Sequence, residues 1–205
     1  MSLSSVRRPD SADSTSHTVE SALELLRSLQ PQLTSLCSTG KSGSLQASLE
    51  RIGAFESKNG ARVLWASPQE DEGWSESDEE REERLKLIRV AEIVHRTFKD
   101  AGYITEDRPL KLHCTLINTS YRKPSSRRSE PFSFTDVLAS DALSELRTNS
   151  IGSAKASDRI ARVSFGTYSI PEIQLCVMGS HGPEDEYVGL GGISCTAAAA
   201  IVDQN

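Results

Sequence analysis

Leu110-Lys111-Leu112-His113-Cys114-Thr115-Leu116-Ile117-Asn118 is the stretch on which the fold turns. Its apolar residues recur at alternate positions, and side chains along a strand point alternately to opposite faces. Parity therefore sets Leu110, Leu112, Cys114 and Leu116 on one face and Lys111, His113, Thr115 and Ile117 on the other. The even set reads as a face turned to the core. The odd set presents an imidazole and a hydroxyl about 7 Å apart, two residues of strand rise, so that both reach one phosphate group. An imidazole exchanges protons near neutral pH, which suits His113 to take a proton from an attacking hydroxyl or to give one to a leaving oxygen. The Thr115 hydroxyl is suited to donate to a non-bridging phosphate oxygen. The same pattern also fits a half-buried strand in which the two side chains make structural hydrogen bonds only.

On either side of this stretch the pattern alternates between helix and strand signals. Val19, Ala22, Leu23, Leu26 and Leu29 recur at three and four, the stripe of an amphipathic helix that Pro31 is expected to end or break. Segments 48–55 and 61–66 read as two strands joined at Lys58-Asn59-Gly60, a hairpin signal. Ser77-Asp78-Glu79-Glu80 fits a capping box and opens a long helix carrying Leu87, Ala91, Val94 and Phe98, with Gly102 as its stop. Beyond the motif come a polar loop at 125–130, a short helix over 134–146, and strands near 161–170, 173–178 and 187–194. This order predicts an α+β domain with hairpin-connected, antiparallel strands. The domain is expected over 18–196, with an acidic loop at about 67–83, a flexible segment at 1–17 and a tail at 197–205.

Composition narrows the function. The chain has 205 residues, enough for one domain with a sizeable core, and its 29 acidic against 23 basic residues leave a net charge of −6. A whole-surface electrostatic grip on nucleic acid is thereby excluded, and RNA contact has to rest on a local patch such as Arg122, Lys123, Arg127 and Arg128. Cys37, Cys114, Cys176 and Cys195 are widely spaced and match no zinc-ligand pattern, so they read as reduced packing residues, with no metal and no cofactor expected. No apolar run approaches the roughly 18 residues of a membrane helix, and no leader opens the chain, so the expected location is intracellular, in nucleus or cytoplasm.

The longer string Leu110 to Thr119, followed by Tyr121-Arg122-Lys123, resembles the second His-x-Thr motif of the two-histidine (2H) phosphoesterase superfamily. The branch it is most similar to is shared by A-kinase anchoring protein 7 and the first subunit of the activating signal cointegrator complex. The strand Ala61-Arg62-Val63-Leu64, the helix ending at Phe98 to Gly102, Arg108, Phe165-Gly166 and the run Ile173 to Met178 follow the same order. The likeness covers roughly residues 1 to 195.

The resemblance implies a two-lobed fold of the 2′,5′ RNA ligase type, each lobe a small antiparallel sheet with outer helices that lends one His-x-Thr strand. It also implies metal-free acid/base chemistry on RNA-type phosphodiesters, 2′,3′-cyclic or 2′,5′-linked. His113 and Thr115 fall on the catalytic positions, and Tyr121, Arg122 and Lys123 on substrate-binding ones. Of the four histidines only His113 stands in a His-x-Thr of strand character, since His17 is followed directly by Thr18, His95-Arg96-Thr97 falls on the long helix, and His181 lacks the threonine. The first lobe is therefore expected to be incomplete, with Met1-Ser2-Leu3 resembling the segment just after the first motif, and activity to be weak or absent. The alternative is a non-catalytic module that binds nucleotide or RNA, or docks in a transcription or RNA-processing complex. A further alternative is an assembly in which a second chain supplies the other histidine.

Overall fold

The computed structural model describes residues 17–38, 43–57, 60–68, 77–119, 130–144, 146, 160–184 and 186–196. Its elements run α1 (Val19–Ser28), α2 (Gln30–Cys37), β1 (Leu45–Ser48), β2 (Arg51–Ser57), β3 (Gly60–Ser67), α3 (Asp78–Asp100), β4 (Cys114–Asn118), α4 (Phe134–Ala139), α5 (Asp141–Ser144), β5 (Ile160–Arg162), β6 (Thr167–Ile170), β7 (Glu172–Cys176) and β8 (Gly189–Ser194). The class is α+β, with β2–β3, β2–β5, β3–β4 and β7–β8 all antiparallel. Contacts divide the chain into two compact units, one of Met1–Gln46, Glu76–Leu110 and Ser169–Asn205, the other of Ala47–Ser75 and Lys111–Tyr168.

The first unit contains α1, α2, α3 and the β7–β8 ribbon. Both halves of a capping box start α3, since the Ser77 hydroxyl accepts from the Glu80 backbone N–H while the Glu80 carboxylate accepts from that of Ser77. The Ser77 backbone N–H and the Ser77 hydroxyl both donate to the Glu80 carboxylate, and these two hydrogen bonds hold the Glu80 carboxyl below its ordinary range. Leu87, Val90, Val94 and Phe98 form the buried stripe of α3, and Gly102, at φ 80°, closes the helix as its position implies. The helix is broken next to Pro31, as expected: α1 stops at Ser28, and Pro31 then sits in the first turn of a second helix, α2, where a missing N–H costs nothing. α1 crosses β8 so closely that a Cβ on Gly191 would lie 3.0 Å from a Leu23 methyl.

Cys37, the last residue of α2, and Cys195, just after β8, are fully buried with their thiols hydrogen-bonded to each other. Burial, and then the neighbouring Cys37 thiol, push Cys195 up to about 12, and burial also raises Cys37. In the unfolded chain both thiols ionise at lower pH than in the fold, so the unfolded state holds fewer protons through that interval. Stability is therefore complete below the ordinary thiol range and is lost as pH rises from about 9 toward about 12. Denaturant titrations across this interval are expected to show a falling midpoint, and Cys195→Ala is expected to flatten that fall even though it lowers stability at neutral pH.

The second unit is built on the four-stranded sheet β4-β3-β2-β5. Ile52, Leu64 and Ala161 point to one face, where Phe134 of α4 and Leu143 of α5 close a core with Ala61 and Val163. The helix expected over 134–146 is two short ones, divided at Ser140, whose backbone is extended at φ −70°, ψ 146°. β2 and β3 make the expected hairpin, paired from Arg51↔Ser67 to Ser57↔Gly60, while its turn residues Lys58 and Asn59 lie outside the described residues. Gly60 leaves the turn at φ 112°, a conformation that favours glycine.

β4 departs from the parity reading in two ways. The strand begins at Cys114, so Leu110 to His113 precede it, and among the described residues it lies at the edge of the sheet, beside β3. Its even face is not core, since Cys114 is exposed and Leu116 is 42% exposed. A β-bulge also interrupts its pairing with β3. β3 advances one residue, Leu64 to Trp65, while β4 advances two, Ile117 to Thr115, which leaves Leu116 as the extra residue. By register Ile117 shares the face of core residue Leu64, although it is 47% exposed, and Thr115 shares the opposite face with Trp65.

Candidate functional site

The sheet face opposite the Ile52–Leu64–Ala161 core carries Gly53 and Phe55 of β2, Trp65 of β3 and Thr115 of β4. Thr115, Trp65 and Gly53 lie in one row across three strands. Trp65 is almost fully buried, and its indole lies flat over Gly53, where an added Cβ would fall 2.2 Å from Cζ2. Glycine at 53 is thus the condition for a tryptophan at 65. Phe55 packs on that indole with ring centroids 5.8 Å apart and remains 39% exposed, making the outer layer of an aromatic shelf.

Two groups from the segment before β4 rest on this shelf. The Lys111 ammonium lies 3.8 Å from the Trp65 ring centroid and 5.2 Å from that of Phe55, a cation–π arrangement on both rings. The His113 imidazole meets Phe55 edge-on, with centroids 5.2 Å apart and planes at 83°. His113 Nδ1 lies 3.0 Å from the Lys111 carbonyl oxygen. A carbonyl only accepts, so Nδ1–H donates, and the neutral ring carries its lone pair on Nε2. His113 is exposed, and Nε2 has no protein partner among the described residues.

The arrangement therefore brings together an exposed imidazole with a free basic nitrogen, an exposed threonine hydroxyl, an ammonium and an aromatic surface. That set suits a phosphate ester with a flat base attached. Of the residues singled out from sequence, His113 and Thr115 fall within this unit, whereas Tyr121, Arg122, Lys123, Arg127 and Arg128 lie outside the described residues. Phe55 and Trp65 were not singled out, and Lys111 only as a neighbour on the odd face. The signal that finds them is pairing register, which sets Trp65 beside Thr115 and over Gly53.

The other histidines are placed elsewhere. His17 Nε2 is 2.9 Å from the Ala101 carbonyl oxygen and its ring meets Tyr103 edge-on, so it ties the entry of α1 to the end of α3. His95 lies in the first unit on the wall of an open groove of about 700 Å³ between α2 and α3, with Arg89 and Arg96. His113 does not line that groove. Among the described residues no cluster of His, Cys, Asp or Glu could hold a metal ion, and no helix is long and apolar enough to cross a membrane.

An α+β chain with antiparallel sheets and a His-x-Thr on a strand edge is of the 2H phosphoesterase type. The chain belongs to the AKAP7 2'5' RNA ligase-like domain family, whose model matches residues 14–193. Among solved structures it is similar to one described as a crystal structure of a phosphoesterase, at 15% identity and a TM-score of 0.38, over 83% of this chain and 70% of that one. No curated protein sequence matches the chain.

Proposed function

We propose that this domain binds RNA-type phosphodiester ends, 2′,3′-cyclic or 2′,5′-linked, on the His113–Thr115 face, and that in this chain alone it turns them over slowly or not at all. The observation that carries the reading is the exposed His113 ring, fixed through Nδ1 so that Nε2 is left as an acceptor beside the Phe55–Lys111 shelf. In the binding step Thr115 donates to a non-bridging oxygen, the Lys111 charge offsets that of the phosphate, and Phe55 offers its exposed ring to the base. In a hydrolytic step Nε2 takes the proton of the attacking water.

The leaving oxygen also needs a proton, and one imidazole does not act as base and acid on opposite sides of an in-line displacement. His113 is the one histidine in a His-x-Thr outside a helix, since His95-Arg96-Thr97 lies within α3, and His17 is engaged with Ala101. This favours binding over turnover. Support for RNA-type chemistry comes from the family match, and the link to a transcription or RNA-processing complex extends it further.

The test is the affinity of a 3′-phosphorylated uridine mononucleotide. Thr115→Val keeps the shape of the side chain and removes the donor, and it is expected to weaken binding by about tenfold, the worth of a hydrogen bond to a charged group. Unchanged affinity in Thr115→Val excludes the site as drawn.

A further inference from the structure

The open groove between α2 and α3 lies wholly within the first unit. Both helices bury a main stripe in the core, Leu33 and Cys37 from α2 and Val90, Val94 and Phe98 from α3. Beside those stripes Leu36 of α2 and Ile93 of α3 are half-buried, and with Leu110 they give the groove an apolar lining. Its charges come from one face of α3, where Arg89, Glu92 and Arg96 recur at three and four. All three are exposed, and among the described residues none of them makes an ion pair or a side-chain hydrogen bond. Arg89 and Arg96 are seven residues apart, two helical turns, which sets them about 10.5 Å apart along the axis. A chain negative overall thus carries two cations and one intervening carboxylate beside an apolar trough.

We propose that this groove docks an acidic amphipathic helix of a partner protein. Apolar side chains of that helix, spaced at three and four, lie on Leu36, Ile93 and Leu110, while two of its carboxylates, seven residues apart, meet Arg89 and Arg96. The same rise per residue in both helices keeps the two charge pairs in step. Glu92, between the arginines, calls for a neutral or basic residue midway along the partner. This alternation of charge favours a peptide over a nucleic acid. A phosphate backbone is negative at every step and would set a phosphate against Glu92, and the groove offers no Phe, Tyr or Trp ring for a base to stack on among the described residues. The inference does not depend on the reading of His113, which lies in the second unit.

The experiment pans a phage-displayed library of random peptides, each roughly four helical turns long, against the wild-type chain. Enriched sequences are expected to carry apolar residues at three and four spacing and two acidic residues seven apart. The most enriched peptide, fluorescently labelled, is then titrated by anisotropy. Arg89→Glu/Arg96→Glu is expected to weaken it by about tenfold or more, since two attractive pairs become two repulsive ones. Both side chains are exposed, so this variant is expected to keep its fold, which circular dichroism checks. A peptide with lysine in place of the two acids is expected to recover binding to the variant. No enrichment, enrichment without the paired acids, unchanged affinity in the variant, or a loss that the lysine peptide does not reverse each overturns the docking site. Displacement of the peptide by 3′-phosphorylated uridine mononucleotide shows that the groove takes nucleotide, and overturns it as well.

Discussion

Gly53→Ala is expected to destabilise the second unit by about 3 kcal/mol, the upper part of the range for overpacking a core. The new Cβ would lie 2.2, 2.4 and 2.8 Å from Cζ2, Cη2 and Cε2 of Trp65, closer than carbon atoms approach, and the indole is 1% exposed with little room to retreat. Alanine is otherwise no worse than glycine in a strand, so the backbone contributes nothing to the loss. The displaced indole would also withdraw the ring on which Lys111 rests and disturb the neighbour of Thr115. Denaturant unfolding followed by circular dichroism gives the loss, and Trp65→Leu in the same chain is expected to recover part of it. A Gly53→Ala chain as stable as wild type shows that the indole does not lie over residue 53.

His113→Ala is the second large effect. Wherever a slow hydrolysis of 2′,3′-cyclic nucleotide is detectable in the wild-type chain, the variant is expected to lose about 10²- to 10⁴-fold, the usual worth of a general acid or base. The side chain is exposed and touches Phe55 at the sheet surface, so the fold is expected to melt within about 0.5 kcal/mol of wild type. Loss of rate with retained stability separates a chemical role from a structural one. Turnover that survives the substitution assigns the reaction to another group or to a contaminant.

Local chemistry made much of the architecture legible. α3 announces itself through Ser77 and Glu80 at its start, a buried stripe, and Gly102 at its end, all signals that act within a few residues. The β2–β3 hairpin follows from two short apolar runs and one glycine turn. α2 was obscured because proline is hostile to a helix interior and welcome in its first turn, and the sequence at Pro31 does not say which applies.

The candidate site was legible at its centre and hidden around it. His113-Cys114-Thr115 is a local string, so the imidazole and the hydroxyl were found directly. The extra residue at Leu116 and the pairing of Ile117 with Leu64 come from a bulge defined by the partner strand, and nothing in β4 itself records it. Phe55 and Trp65 join the same face through register across three strands, a relation that composition and periodicity along one segment do not contain.

The central claim is that phosphate-bearing nucleotide meets the protein at His113. Imidazole resonances of the four histidines, assigned by substitution and followed while 3′-phosphorylated uridine mononucleotide is titrated in, test it most directly. The account predicts saturable shifts at His113 while His17, His95 and His181 stay in place. A titration that leaves His113 unmoved, or that moves His95 in the α2–α3 groove instead, contradicts it.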